Sequence, residues 1–265
     1  MLLRYIGGKS RLLPEIKKRI PTKTELFVDV FCGGFSVSQA MSHIRVISND
    51  LSPVMKIYQA IKDDDLFINK LRDKIKEYNT AQDQKELYLQ YRAEFNLTQC
   101  PVLLTIINRT CFNGVMRFNK KGSFNTPFGE IKKIREDLVE EAIKLKTILK
   151  DIELYSLDFE CFLNKVENKI TDKTIIYFDP PYETSNKSKT KNKYTSCTWQ
   201  LDRLLKVLKD LDNKSIKWIV SNSYCDTTLE AFKNYNIEFV SRNCTISRDS
   251  SSRTKTKEII VRNYN

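Results

Sequence analysis

The sequence predicts an α/β fold, a doubly wound sheet closed by an antiparallel hairpin and interrupted by an inserted helical region, and three observations carry that prediction. Short apolar, β-branched runs recur and each ends at once on a polar residue. Helical stretches separate the runs, as strand and helix alternation requires. Residues from about 60 to 145 break the rhythm with charge-rich helical sequence. The runs are Leu26 to Val30 around Asp29, Val46 to Ser48 before Asn49-Asp50, and Ile152 to Leu157 before Asp158. Thr174 to Phe178 before Asp179 and Lys217 to Ser221 before Asn222 continue the series. Between them, Ser52 and Pro53 read as the cap and first-turn pair of a helix over Val54 to Lys62, and Trp199 to Leu211 carries apolar residues at helical spacing. Ile237 to Val240 and Glu258 to Arg262, on either side of a polar Arg/Ser/Lys stretch, read as the closing hairpin. Sheets of this kind bind ligands beyond the carboxyl ends of their strands. This chain places its carboxylates there.

Composition sets the outer bounds. The 265 residues suffice for one large domain, or for a main domain with an insert. A hydrophobic fraction of 41% with 14 Phe and 12 Tyr supplies a core and argues against wholesale disorder. No run approaches the roughly 18 apolar residues of a membrane span, and Met1 to Lys9 lacks a signal peptide's apolar segment, so a soluble cytoplasmic protein is expected. The cysteines are Cys32, Cys100, Cys111, Cys161, Cys197, Cys225 and Cys244, an odd set with no C-x-x-C pair. That pattern indicates neither a disulfide framework nor a zinc ribbon, and predicts reduced, mostly buried thiols. His43 is the only histidine, which excludes His-rich metal sites and every mechanism needing two imidazoles; beside Met41 and Ile44 it reads as structural. A formal net charge of +12 points to an anionic partner, nucleic acid or an anionic membrane surface, although charge alone does not choose between these and simple solubility.

The chain has only seven glycines, in three clusters: Gly7-Gly8, Gly33-Gly34, and Gly114, Gly122 and Gly129. Gly7-Gly8-Lys9-Ser10 invites a phosphate-loop reading, but the first glycine of that motif would be Leu3, and no strand fits before it. Binding of an anion or carboxylate by the Gly pair and Lys9 stays open. Asp29-Val-Phe-Cys-Gly-Gly-Phe35 sits between a strand and a helix, the place of a cofactor-binding glycine turn, and Asp50 follows at an offset that suits a ribose diol. The missing G-x-G-x-x-G disfavours a nicotinamide cofactor. The sharpest signal is Asp179-Pro180-Pro181-Tyr182 at a strand end. Two prolines fix an extended turn. The exocyclic amine of a nucleobase is a poor nucleophile because its lone pair is delocalised. Two acceptors, an Asp179 carboxylate oxygen and the Pro180 carbonyl, would hold its N–H bonds and favour a pyramidal nitrogen, while Tyr182 offers a face for a flipped base. A plain proline turn with a capping Asp is the competing explanation.

Thr105 to Lys133 carries six Lys or Arg against one Glu, interleaved with Phe112, Phe118, Phe124 and Phe128. Basic residues that track phosphates and rings that stack on or wedge between bases make a nucleic-acid surface. Ser185 to Lys193, with Lys at 187, 189, 191 and 193, reads as a mobile solvated loop. It and the Arg242 to Lys257 stretch could also grip phosphates.

With these residues in hand, the chain resembles the DNA adenine methyltransferase (Dam) family, the D12 class of N6-adenine enzymes. Arg4-Tyr-Ile-Gly-Gly-Lys9 is similar to the family's N-terminal cofactor motif, Asp29 to Gly34 to its glycine motif, Asn49-Asp50 to its ribose-binding acid, and Asp179 to Tyr182 to its catalytic motif. Phe112-Asn-Gly-Val-Met-Arg-Phe-Asn119 with Gly122 to Gly129 looks like its target-recognition hairpin. The resemblance implies a Rossmann-like methyltransferase sheet from residues 1–58 and 146–265, and a helical target-recognition domain over 59–145 with a DNA-contacting hairpin at about 111–129. It implies S-adenosylmethionine as cofactor, double-stranded DNA as partner, no metal, and a bacterial or phage source. A cognate restriction endonuclease acting on the same site would be a further partner. Catalytic roles would fall to Asp179, Pro180, Pro181 and Tyr182. Tyr5, Gly8, Lys9, Asp29, Phe31, Gly33 and Asp179 would contact the cofactor, Asp50 would hold its ribose hydroxyls, and Phe159 after Asp158 would flank its adenine. Phe112 would wedge into the duplex, with Asn113, Val115, Arg117, Asn119 and Pro127 near it. Arg4 would read the guanine before the target adenine, which makes a GATC-like site the expectation. Phe35 stands where many relatives have another glycine, and Val115 replaces a larger apolar residue. Methylation of cytosine N4 or of an RNA adenine is the nearest alternative, and an inactive DNA-binding relative the more distant one.

Overall fold

Each apolar run becomes a strand because its side chains are swallowed on both faces of one sheet. A computed structural model describes residues 1–181, 201–242 and 256–265. Its strands are β1 (Leu26–Asp29), β2 (Arg45–Asn49), β3 (Ile152–Tyr155), β4 (Thr174–Phe178), β5 (Lys217–Ser223), β6 (Asn236–Arg242) and β7 (Thr256–Arg262), joined in the order β3-β2-β1-β4-β5-β7-β6. The first five pair in parallel, while β7 runs antiparallel between β5 and β6 and closes the sheet as the sequence predicted. Strand order reverses between β1 and β4. That is the switch point where a doubly wound sheet opens a crevice beyond its carboxyl ends.

Alternation along each strand divides the core in two. Phe27, Val46, Ile175, Tyr177, Ile219 and Ile260 face one side, where they join α1 (Leu13–Lys18), α2 (Ser36–Ala40) and α3 (Val54–Asp63). Val28, Ile47, Ile176, Phe178, Val220 and Ile259 face the other, under α8 (Phe159–Val166), α9 (Leu201–Asn213) and α10 (Asp226–Ala231). The helical region contributes α4 (Phe67–Thr80), α5 (Gln84–Thr98), α6 (Pro101–Thr110) and α7 (Leu138–Leu149). Its buried Phe67, Tyr78, Tyr88, Phe95 and Leu149 belong to the same continuous cluster as Phe27 and Tyr177. The insert is therefore packed onto the sheet through shared core.

Local chemistry explains the boundaries. Asp83 caps α5 by accepting from the Lys85 and Glu86 amides, and Pro101 opens α6 at a position that needs no N–H donor. Three expectations need correction. Ser52 does not cap α3: Pro53 takes the cap position with no side-chain bond, and the Ser52 amide turns back to Asp50 Oδ1 at 2.8 Å. Of the five described cysteines only Cys32 and Cys111 are buried, because Cys161, Cys100 and Cys225 lie on helix surfaces or turns. His43 is exposed just beyond α2 rather than packed with Met41. The segments with Lys187 to Lys193, the start of the Trp199 helix, and residues 243–255 of the second basic stretch lie outside the described residues. No helix among the described residues is long and apolar enough to cross a membrane.

Candidate active site

The carboxyl ends of β1, β2 and β4 are stitched together before any ligand arrives. Asn49, fully buried at the end of β2, donates from Nδ2 to the Val30 carbonyl at 3.1 Å and the Leu157 carbonyl at 3.0 Å, and accepts from the Leu157 amide at 2.9 Å. One carboxamide thus sets the spacing of the loops after β1 and β3. Between them lies a cavity of about 360 Å³, in the size range of a small-molecule site. Tyr5, Gly8, Lys9, Asp29, Phe31, Gly33, Asp50, Asp158, Phe159 and Asp179 all line it, together with Arg4, Pro180 and Pro181. Residues far apart in sequence converge on one hollow.

Two glycine clusters meet in its wall. A Cβ on Gly33 (φ +43) would come within 2.6 Å of the Tyr5 ring, so Tyr5 can pack this closely on the turn only because that position lacks a side chain. Phe35, the departure from the family pattern, adopts φ +66 and is buried against Tyr58 with ring centroids 4.7 Å apart. A left-handed conformation costs a non-glycine residue about 1–2 kcal/mol. Burying a phenyl ring returns more than that, so the turn keeps its shape. Tyr58 in turn donates to the Gly33 carbonyl at 2.9 Å.

Lys9, Asp29, Asp50 and Asp179 are charged side chains at the cavity's strand-end wall. Asp50 accepts from the Gly33 amide at 2.8 Å and from the Ser52 amide at 2.8 Å, one on each oxygen. Burial pushes its carboxyl up while those bonds pull it back, and each oxygen retains a lone pair for a diol. Asp29 accepts from Ser38 Oγ at 2.6 Å on Oδ2, while Oδ1 is buried without a hydrogen-bond partner. Burial raises its pKa to about 7. Lys9, only 3% exposed, ion-pairs with Asp179 Oδ1 at 2.7 Å, and Ser221 Oγ donates to that same oxygen at 3.0 Å. Burial pushes Asp179 upward, and Lys9 followed by Ser221 draws it down. Both contacts fall on Oδ1. Among the described residues Oδ2 is left to accept.

The far end of the cavity is aromatic. Phe31 and Phe159 stand with ring centroids 5.6 Å apart, and the Arg203 guanidinium lies 4.8 Å over the Phe159 ring. Asp158 caps α8 and holds Arg203 at 2.8 Å. Arg203 gave no signal in the sequence, because its partners lie more than 40 residues away. Ser221, Asn49 and Tyr58 also bond residues outside their own stretch of sequence, Asp179 over 42 positions, Leu157 over 108 and Gly33 over 25, and gave no signal either.

The segment from Cys111 to Phe128 folds as a hairpin with a sparse ladder. Cys111 bridges Phe128 and Phe118 bridges Phe124, and Asn119 Oδ1 closes the turn by accepting from the Lys121 and Ser123 amides. Phe112, Asn113, Arg117, Asn119 and Pro127 are exposed, Val115 is half-buried, and Arg117 is steadied by Asn125 Oδ1 at 2.7 Å. The expected run of nucleic-acid-facing aromatics is corrected here. Phe124 is 1% exposed and meets Phe95 and Phe118 edge-on, while Phe128 packs on Tyr88. Those rings anchor the hairpin to α5, so Phe112 alone of the four projects outward. Tyr182 lies outside the described residues.

Comparison with known proteins gives the family. The D12 class N6 adenine-specific DNA methyltransferase family matches residues 5–246. The chain is 28% identical to the type II methyltransferase M.MjaIII of Methanocaldococcus jannaschii, over 99% of this chain and 98% of that one. It is 30% identical to the type II methyltransferase M1.LlaDCHI of Lactococcus lactis subsp. cremoris, over 98% and 94%. The DNA adenine methylase of Escherichia coli K12 is 29% identical over 98% and 93%.

Proposed function

This chain belongs to the D12 class N6 adenine-specific DNA methyltransferase family, and from that premise we propose that it transfers the methyl group of S-adenosylmethionine to N6 of an adenine flipped out of duplex DNA, in a GATC-like site. The observation that carries the reading is Asp179, whose carboxylate is fixed through Oδ1 at the end of β4 in the same cavity as Tyr5, Asp29 and Asp50. The cavity fits the cofactor. Tyr5 on Gly33 offers a flat wall, Asp50 keeps lone pairs for a diol, and the unpartnered Asp29 Oδ1 suits an ammonium. Phe31 and Phe159 would flank its adenine.

When bound, the cofactor supplies a methyl on a sulfonium centre, with a neutral thioether as leaving group. Burial favours the neutral form of Asp179, and the Lys9 ammonium opposes that and favours the carboxylate that the target amine needs as an acceptor. Asp179 Oδ2 and the Pro180 carbonyl accept the two N–H bonds of the target amine and direct its lone pair into the cavity. Catalysis is then positioning and electrostatic complementarity, with no covalent enzyme intermediate. Residues 1–58 and 146–265 perform this chemistry. Residues 59–145 serve as the target-recognition unit, with Phe112 as the wedge, Asn113, Val115, Arg117, Asn119 and Pro127 around it, and Arg4 reading the base before the adenine. The type II names of two relatives support a cognate restriction endonuclease as a partner at the same site.

The deciding experiment incubates the protein with S-adenosylmethionine and unmethylated duplex DNA, beside an Asp179→Ala control, and identifies the modified nucleoside by mass spectrometry. N6-methyladenine in the wild type and a loss of at least about 100-fold in the control is expected, the size seen when one transition-state hydrogen-bonding group is removed. N4-methylcytosine, or activity that survives the substitution, would overturn the reading. Mapping the modified sites tests GATC.

A further inference from the structure

Asn108 sits on the buried face of α6, with no solvent exposure, among Leu104, Ile107 and Cys111. A carboxamide in such a place is costly unless every polar atom is satisfied, and none of its bonds serves α6. Its Oδ1 accepts from the Arg4 amide at 2.9 Å, and its Nδ2 donates to the Arg4 carbonyl at 2.9 Å and to the Gly114 carbonyl at 3.1 Å. Both backbone groups of Arg4 are therefore taken by one side chain, which fixes that residue as a neighbouring strand would. The third bond holds the turn that carries Phe112 and Asn113. Gly114 completes the lock. It adopts φ +66, and a Cβ there would lie 2.2 Å from the Arg4 Cβ and 2.9 Å from its Cδ. The stem of Arg4 is thus packed on the recognition turn while the residue itself stays exposed at the rim of the cavity.

We propose that Asn108 is a positioning residue for target selection, because it fixes the point from which the Arg4 guanidinium leaves the protein. This deepens the proposed function and rests on its assignment of Arg4 to the base before the target adenine. A flexible Arg reaches many groups. One whose backbone and first carbons are immobilised gives up less rotamer freedom on binding and discriminates better between neighbouring bases. The next residue is Tyr5, whose ring packs against Gly33. The carboxamide of Asn108 therefore also ties the base-reading turn to the cofactor wall, a direct physical link between the two ligands.

The test measures kcat/KM on two duplexes, the mapped site and the same site changed at the base before the adenine, for the wild type, Arg4→Ala, Asn108→Ala and the double variant. The selectivity ratio is expected to fall tenfold or more in Asn108→Ala, towards that of Arg4→Ala. The double variant should lose no further selectivity than Arg4→Ala alone, the signature of residues acting as one unit. Asn108→Asp keeps the acceptor for the Arg4 amide but loses both donors, and is expected to fall between. Thermal unfolding and titration with S-adenosylmethionine in the absence of DNA check that the variants fold. A ratio within twofold of wild type in a folded Asn108→Ala overturns the proposal, and failure of both Asn108 variants to fold overturns it in favour of a purely structural bond. If the wild type makes no N6-methyladenine, the proposed function fails instead. If it does so and Arg4→Ala keeps full selectivity, the role given to Arg4 fails and takes this proposal with it.

Discussion

The cavity at the strand ends and the hairpin after α6 are held by opposite means. The cavity is built from strand ends: Asn49 joins two loops, Asp50 is bound by two amides, and Lys9 is buried against Asp179. Its polar groups have little room to move, and an ion pair so buried is maintained only by good geometry and extra hydrogen bonds. The hairpin has two isolated bridges of its own and hangs on α5 instead. Tyr88 and Arg92 both donate to the Thr126 carbonyl, at 2.7 and 3.0 Å, and Asn96 exchanges two bonds with the Phe124 backbone. Its outward residues bear almost none of that load. The buried acceptors of the cavity are held by their own hydrogen bonds, whereas the outward side chains of the hairpin stand on a backbone fastened from behind, with Arg117 and Asn119 bonded, among the described residues, only within the hairpin.

The comparison breaks first if the cavity tolerates added bulk. Gly33→Ala would place a Cβ 2.6 Å from the Tyr5 ring at φ +43, so either the ring or the turn must move. Overpacking of this kind costs about 1–3 kcal/mol. If the displaced ring forfeits a similar amount of cofactor contact, S-adenosylmethionine should bind roughly 10- to 100-fold more weakly, at about 1.4 kcal/mol per tenfold. Isothermal titration measures it, and unchanged affinity would mean that Tyr5 on Gly33 is not the cofactor wall.

A smaller effect should come from Asp29. Its carboxyl is pushed from 3.8 up to about 7, chiefly by burial, with Ser38 opposing and the charges of Asp179 and Asp50 adding to the rise. As pH climbs from about 4 to about 7 the unfolded chain gives up this proton before the folded one. The folded state holds more protons across that window, so this group's contribution to stability falls through it and levels off above. An ammonium placed at Oδ1 reverses the preference and favours the carboxylate. Cofactor binding near pH 6.5 should therefore release protons and tighten as pH rises through about 7. Lys9, Asp50 and Asp179 face the same space, so Asp29→Asn is the control. It should abolish most of the proton release, read by calorimetry in buffers of different ionisation enthalpy, and weaken binding about tenfold, in keeping with the roughly 1.5–3 kcal/mol of a hydrogen bond to a charged group. Proton release that persists in Asp29→Asn would assign it to another acid.

The same contrast explains what could be read from sequence. Asp29, Asp50, Asp158 and Asp179 were legible because each follows an apolar run whose alternation announces a strand, and a doubly wound sheet has only one place to put such ends. The sheet itself was legible through the same alternation. The clamps were not. Asn108 acts on Arg4 across 104 positions and Asn49 on Leu157 across 108, and nothing in the neighbours of a buried asparagine betrays its partner. Phe118, Phe124 and Phe128 were misread because a short hairpin buries one side against whatever lies behind it, here Tyr88 and Phe95 on α5, and a basic surrounding says nothing of which side that is. Phe35 was visible only as a departure, and its left-handed φ with its packing on Tyr58 supplied the reason.

The smallest effect on the protein itself should come from Phe112. Phe112 is 43% exposed at the turn after α6, so Phe112→Ala gives up only the covered part of the side chain and should lower thermal stability by no more than about 1–1.5 kcal/mol. Cofactor affinity without DNA should stay the same, because the ring is not part of the cavity lining. The cost should appear only when a duplex is opened. A ring inserted between bases offsets part of the unstacking energy, a few kcal/mol per step, and its loss should slow methylation of duplex DNA several-fold while sparing a substrate whose target adenine is already mispaired. That difference separates a wedge from a contact that merely adds affinity, since the latter would weaken both substrates alike. An equal loss on paired and mispaired targets would sink the wedge assignment, and a large fall in stability would show that the hairpin's outward face bears load after all.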